Sequence, residues 1–456
     1  MNAENLASWF LRSSEALLLA VILALIIFLA LFWYFFAYFV LSLKKHKKLP
    51  KGKVYYKYAV LVPARNEDQV IGHILESLKN QTYPHEYFDV YVIVESKDDP
   101  TVKITKKYKF NVIIRKDLVN KKTKGFALDE AYKYIKENDL HYDAFIVFDA
   151  DNVAKSDYID LMNDVKNAGF KVGMGYRNFT NSSANWISAC SATLFAYMNQ
   201  FTSNGRSILF KKMTLTGTGY FVDFDIIDNE GGWIFNGMTE DVELTKYCYY
   251  HNVPMKYYPI AQYYDEQATT LKVVHKQHIR WVWGYFANDK KYKKKNKPDY
   301  HALKKGTQNT SLFEFNVSIY PLVVIVGLLV LAFLISLGFF IASLVFSAIF
   351  EVFRSELISL SMFVWVLVYF FILWVFVGLV AFVTFVISNK YLKFSVGLQI
   401  KVIFSYLFFF ADFVFAFLDG LFHKYKRVSW DKIKHDGIIT NKEALENIKN
   451  ENKKGR

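Results

Sequence analysis

Three hydrophobic patterns divide the chain. Ala16 to Leu43 is almost unbroken hydrocarbon and aromatic, longer than the ~20 residues that span a bilayer. It is too long for a signal-peptide core and has no basic leader, so it is expected to remain as a membrane helix. From Tyr58 the rhythm changes. Short apolar runs at Tyr58–Val62, Val90–Val94, Val112–Ile114, Ala144–Phe148 and Val172–Gly175 alternate with helical spacing over Glu67–Asn80, Gly125–Glu137 and Tyr158–Asn167. Strands alternating with helices predict an α/β domain with a mainly parallel sheet. The third pattern begins at Ile319. Ile319–Phe350 and Leu357–Ile387 each exceed one crossing and are too short for two. Val402–Phe422 is long enough to span but holds Asp412 and Asp419 and has basic residues on both flanks, which favours an interfacial or re-entrant segment over a crossing. The expected organisation is an N-terminal transmembrane helix (1–43), the α/β domain (44–270), amphipathic helices and a basic linker (271–318), a C-terminal membrane region (319–423) and a polar tail (424–456) too short for a regulatory domain.

Composition sharpens this division. The 456 residues are 53% hydrophobic and 18% aromatic, and that excess is concentrated at the two ends, leaving a middle of ordinary soluble composition. Net charge is +14, with lysines clustered at Lys44–Lys48 and Lys290–Lys295 beside the apolar segments. Such runs face anionic cytoplasmic headgroups. The positive-inside rule therefore places the α/β domain in the cytoplasm of a multi-pass cell-membrane protein, with the non-basic loop around Glu351–Glu356 outside. No recognition motif accompanies the charge, so nucleic acid is not expected as a partner. Cys190 and Cys248 are far apart and lack neighbours at metal-ligand spacing, which argues against a disulfide framework or a zinc site and for a reducing compartment. Abundant Lys, Asn and Ile agree with a bacterial source of low GC content.

The candidate chemistry gathers at strand ends. Ala144–Phe148 reads as a strand buried on both faces and stops at Asp149-Ala150-Asp151. A side-chain period of two puts both carboxylates on one side, beyond the carboxyl end of the sheet where ligands of open α/β folds bind. Such a pair suits Mg²⁺ or Mn²⁺ carrying a phosphorylated substrate; a solvated Asp-x-Asp loop has the same sequence. Polar clusters also close the first two strands, at Pro63–Glu67 and Glu95–Asp99. Lys124-Gly125 at a helix start is either a phosphate contact or a solvated first turn. Thr216-Gly217-Thr218-Gly219 allows positive φ or close approach of a ligand, and turn-making explains it equally. Thr239 reads as an N-cap, with Glu240 and Asp241 either ordinary first-turn acids or a fixed general base. Over Val273–Gly284, Gln277, Arg280, Trp281 and Gly284 share one helical face.

Asp149-x-Asp151, Thr239-Glu240-Asp241 and Gln277-x-x-Arg280-Trp281, in that order and flanked by membrane segments, resemble the membrane-integrated family 2 glycosyltransferases, the group of cellulose, chitin, hyaluronan and poly-N-acetylglucosamine synthases. The likeness spans about Tyr58 to Gly284. It implies a GT-A fold and inverting transfer from a UDP-sugar. By position, Ala64, Arg65 and Glu67 would line the uridine pocket, with Glu95 where the family usually has Asp. Asp149 and Asp151 would contact ribose and diphosphate, with Asp151 the closer metal ligand, and Asp241, beside Glu240, would be the base. Gln277, Arg280 and Trp281 would hold diphosphate and acceptor, and Gly217, Thr218 and Gly219 would lie near the acceptor. The chain departs from the pattern at His278, where Gln or Arg is common, and at Asp98-Asp99, which lacks the following Gly-Ser. It also shows one N-terminal span where several relatives have two, which leaves room for a partner subunit completing a channel. The leading expectation is a processive synthase of a capsule-type or other β-linked exopolysaccharide that exports its product. The alternatives are single addition of a sugar to a lipid, since ceramide glucosyltransferase-like proteins carry a similar Gln-x-x-Arg-Trp, and a non-catalytic glycan-export subunit.

Overall fold

The computed structural model describes residues 40–44, 46–118, 122–295, 356–422, 439 and 441–449, with isolated positions at 334, 337, 338 and 341. The expected spans at 16–43 (apart from its last residues) and 319–350 (apart from those positions) lie outside the described residues, as do the 351–355 loop and most of the polar tail.

The first half follows the strand–helix rhythm. β1 (Tyr58–Pro63), α1 (Ile71–Lys79), β2 (Phe88–Val94), α2 (Pro100–Lys107), β3 (Asn111–Ile114), α3 (Lys124–Glu137) and β4 (Ala144–Val147) form in that order. They are followed by β5 (Val153–Ala154), α4 (Tyr158–Asn167) and β6 (Val172–Phe179). Every residue of β4 is fully buried, as its unbroken apolar sequence requires. Next come α5 (Trp186–Tyr197), a π-helical turn (Met198–Asn204), α6 (Gly205–Phe210), β7 (Tyr220–Asp223), α7 (Phe224–Asp228), α8 (Glu240–Tyr250) and β8 (Met255–Asp265).

Among the described residues the strands form one sheet in the order β3-β2-β1-β4-β7-β6-β8-β5. The expectation of a mainly parallel sheet holds for β1 with β2 and β4, for β2 with β3, and for β6 with β8. It needs correction in the second half, where the sheet is mixed. β7 inserts antiparallel between β4 and β6, and β5 pairs antiparallel with β8. β6 also runs four residues beyond the expected Gly175, because after a register shift between Gly175 and Tyr176 it goes on pairing with Gln262 to Asp265 of β8.

Helices cover both faces. Leu61, Phe145 and Val147 pack with Leu128, Ala131 and Ile135 of α3 and Leu244 and Cys248 of α8. Val60, Ile146 and Phe148 pack with Ile74 and Leu75 of α1 and Ile159 and Met162 of α4. Cys190 and Cys248 are free and buried.

Beyond the sheet run α9 (Leu271–Lys295), α10 (Glu356–Leu392), α11 (Val396–Phe422) and α12 (Lys442–Lys449). α9 continues through the basic run at Lys290–Lys295, inside the stretch expected to hold amphipathic helices and a basic linker. α11 is one unbroken helix of 27 residues containing the whole segment expected to be interfacial or re-entrant. Phe370–Leu392 and Val396–Asp419 are each long and apolar enough to cross a membrane. Both present exposed apolar side chains outward, among them Phe371, Val386, Phe404, Phe408 and Phe415, a surface that water does not favour. Their other sides pack on α5, with Ala189, Ala192 and Phe195 meeting Val377, Ala381, Tyr406 and Phe410.

Phe145 is fully buried between the rings of Phe224 and Trp233, with centroids 5.2 and 5.7 Å away. Phe145→Ala is expected to destabilise the domain by about 3–5 kcal/mol, read from denaturant unfolding of the purified protein; a loss below about 1 kcal/mol would contradict its central place in the core.

Candidate active site

The carboxyl ends of β1, β2 and β4 open on a cavity of about 400 Å³. Its wall includes Ala64, Arg65, Glu67, Glu95, Lys124, Asp149, Asp151, Gly217, Glu240, Asp241, Gln277, Arg280 and Trp281. Residues from seven separate stretches of sequence therefore meet in one place.

Lys124 is the hub. Its ammonium pairs with Asp149, donates to the Gly217 carbonyl at 2.7 Å and lies 3.7 Å from a Glu240 carboxyl oxygen. Of the two readings left open for this lysine, the solvated first turn is excluded, because Lys124 is buried. The chain delivers it there by close approach: a Cβ on Gly125 would stand 2.0 Å from the Phe235 carbonyl oxygen, and the Thr123 hydroxyl donates to the Asn236 carbonyl at 2.7 Å. Burial pulls the ammonium's pKa down, but Asp149 and Glu240 outweigh it and hold it above the ordinary value.

The two acids at the start of α8 behave differently from surface carboxylates. Burial, opposed by Lys124 and reinforced by Asp241, pushes Glu240 up to about 8. Burial also raises Asp241, against a bond from its own neighbour's Val242 N–H and the charges of Lys124 and Arg280. Thr239 occupies the expected N-cap position but its side chain makes no capping bond to the first turn. Arg280 is held near Glu240, Asp149 and Asp241; burial lowers its pKa and those acids oppose the shift.

Thr218 and Gly219 form the floor beneath the site, behind the wall. The Thr218 hydroxyl accepts from the Asp149 N–H at 2.9 Å and bonds to Asn152. A Cβ on Gly219, whose φ is +62°, would strike the Tyr263 ring. Gly217 does face the cavity, at φ +88° and beside the Asp241 carboxylate. Arg65 and Glu95 pair at 3.0 Å, and Arg115 approaches Glu95 at 3.7 Å.

One ion pair in the wall escapes sequence reading. Arg177 on β6 bonds to Asp265 at the end of β8, at 2.5 and 3.0 Å, and donates to the Thr216 carbonyl at 2.7 Å. Asp265 also accepts from Asn152 at 2.9 Å and from Gln267 at 2.6 Å. The far wall is apolar: Leu194, Phe195 and Met198 from α5 and its π-helical extension, Trp281 from α9, and Phe410 and Phe413 from α11. Phe195 and Trp281 meet edge to face at 5.8 Å.

Among the described residues no cluster of three His, Cys, Asp or Glu side chains could cage a metal. Asp149 and Asp151 still fit a divalent cation whose remaining ligands are phosphate and water oxygens, the habit of Mg²⁺-type ions.

Mannosyltransferase PcManGT from Pyrobaculum calidifontis, solved in complex with GDP-Man and Mn2+, is similar in fold: TM-score 0.50, 12% identity, over 88% of this chain and 98% of that one. The probable glycosyltransferase YdaM of Bacillus subtilis is 30% identical over 240 residues, 50% of this chain and 55% of that protein. The beta-monoglucosyldiacylglycerol synthase of Trichormus variabilis is 25% identical over 236 residues, 50% of this chain and 48% of that protein. The chain thus spans about half the length of the curated relatives it matches.

Arg177→Met leaves the buried Asp265 carboxylate unpaired and is expected to cost about 3–5 kcal/mol. Adding Asp265→Leu should recover part of it, and thermal unfolding of the single and double variants checks this. A double variant no more stable than the single would contradict the pairing. The model of the family described as "Glycosyltransferase like family 2" matches residues 56–284, half of the chain, and the chain belongs to that family.

Proposed function

We propose that the protein is an inverting glycosyltransferase that moves a single sugar from a nucleoside-diphosphate sugar, UDP-linked in the first instance, to the hydroxyl of a membrane lipid. The observation that carries this is the two-sided cavity. Asp149, Asp151, Lys124, Arg280 and the α8 acids lie at one end, and the other is walled by apolar side chains of α5 and α11, the second of which carries exposed apolar side chains on its outer face. An amphipathic acceptor fits such a space. Kinship with a beta-monoglucosyldiacylglycerol synthase supports the same reading over processive polymer export.

In this mechanism Arg65 and Glu95 border the base of the nucleotide. Arg280 and Gln277 hold the diphosphate, Asp151 with Asp149 would hold a divalent cation, and Trp281 offers a ring face to the sugar. A bound cation would neutralise charge on the departing diphosphate. The Asp241 carboxylate takes the proton from the acceptor hydroxyl as that oxygen bonds to the anomeric carbon. The carbon–diphosphate bond breaks on the opposite face, and the nucleotide leaves with the electron pair. Arg280 and Lys124 meet the charge that develops there. With burial raising Glu240 to about 8, this neighbour of the base carries a proton near neutrality and adds no negative charge beside the diphosphate.

Incubating the protein in diacylglycerol-containing vesicles with each common UDP-sugar should yield lipid one hexose heavier by mass spectrometry; a long glycan instead would restore the processive reading. Asp241→Asn should lower kcat by about 10²- to 10⁴-fold while nucleotide still binds, and unchanged turnover would remove Asp241 from the base's role. As pH rises through about 8, Glu240 ionises and adds a negative charge where the diphosphate enters. Donor kcat/KM should therefore fall above that pH in the wild type and not in Glu240→Gln. The same fall in both would exclude Glu240 as its source.

A further inference from the structure

The helix that carries Gln277, Arg280 and Trp281 is tied to the apolar helix α11 by an acid. Asp412 lies inside the stretch of α11 long and apolar enough to cross a membrane. An ionisable group in such a stretch is expensive unless it is paired and put to use. Its two carboxylate oxygens are divided between two imidazoles of α9: Oδ1 to His275 Nδ1 at 2.8 Å and Oδ2 to His278 Nδ1 at 2.7 Å. Burial lowers the His278 pKa against the opposing pull of Asp412, and facing a carboxylate, which only accepts, its Nδ1 is the donor.

His278 is held on every side. Its ring stacks on Phe413 at 3.6 Å, meets Phe409 edge-on at 5.4 Å and lies 5.4 Å from Trp281, one turn further along the helix. Two more ties flank this one. The Trp283 indole donates to the Ala416 carbonyl at 3.2 Å, and a Cβ on Gly284 would stand 2.7 Å from the Thr239 methyl. α9 is therefore wedged between α11 and the start of α8, with Arg280 and Trp281 on the cavity wall.

We propose that Asp412 is a positioning residue for sugar transfer. By gripping His275 and His278 together it fixes the rotation of α9 and so aims Arg280 and Trp281 into the cavity. The histidine at 278 and the acid in the apolar segment are then two halves of one device. The proposal rests on the reading of Arg280 as a contact to the donor diphosphate.

The test is a double-mutant cycle on nucleotide affinity, titrating Mn²⁺ with UDP, or with GDP if the wild type binds that instead, into the full chain in phosphatidylglycerol nanodiscs. Asp412→Ala should weaken binding about 3- to 30-fold and Arg280→Ala about 10- to 100-fold. The double variant should bind no worse than Arg280→Ala alone, because the acid acts through the arginine. Asp412→Asn, with one acceptor oxygen in the same shape, should recover most of the affinity. Should Asp412→Ala not accumulate, Asp412→Leu, of a residue type suited to an apolar helix, takes its place. Wild-type affinity in the Asp412 variant, or losses that multiply in the double, would overturn the proposal and leave the site reading intact. Wild-type affinity in Arg280→Ala would overturn the reading of Arg280 as a donor contact, and the proposal with it.

Discussion

A single buried ammonium organises the site. Lys124 has left water, and a charge so placed must be matched by opposite charge and hydrogen bonds or it destabilises the fold. The partners come from three other places: Asp149 from the end of β4, the Gly217 carbonyl from the loop before β7, and Glu240 from the start of α8. None of these could drift far without exposing the charge of another. The cation thereby ties three unrelated chain segments into one rim, while burial, against the pull of Lys124, raises Glu240 to about 8 and Arg280 stays charged.

The same rim explains why the site faces an apolar surface. α9 crosses from the α8 start, where Gly284 lies against Thr239, to α11, where its histidines grip Asp412. The polar end of the cavity and the apolar helix α11 at the other are thus joined by a single element. α12 adds a further tie outside the cavity: Glu443 bonds to Tyr264, next to the site residue Asp265, and to Lys393 in the turn between α10 and α11.

Much of this was legible in the chain. An apolar run that ends on Asp149-Ala150-Asp151 announces a central strand and its functional tip, because only a doubly buried strand is apolar at every position. The shared face of Gln277, Arg280 and Trp281 follows from helical spacing alone. What could not be read has a common cause in distance along the chain. Arg177 and Asp265 lie 88 residues apart and meet only because β6 continues past a register shift and pairs in parallel with β8. For Lys124 a phosphate contact and a solvated first turn stayed open, since the carboxylates that bury it come from other elements. Thr218 and Gly219 carry the turn chemistry of a ligand loop yet serve as the floor, where Asp149 needs a partner and Tyr263 leaves no room for a side chain. The antiparallel β7 was equally hidden, because strand direction leaves no mark on a short apolar run.

The claim on which all this depends is that one cavity serves both a nucleotide diphosphate and a lipid hydroxyl. A cryo-EM map of the full chain in lipid nanodiscs with UDP and Mn²⁺ tests it most directly. The diphosphate is predicted between Asp151 and Arg280, with lipid density against Phe410 and Phe413 reaching toward Asp241. Nucleotide bound elsewhere, or a lipid wall sealed off from Asp241, would contradict it.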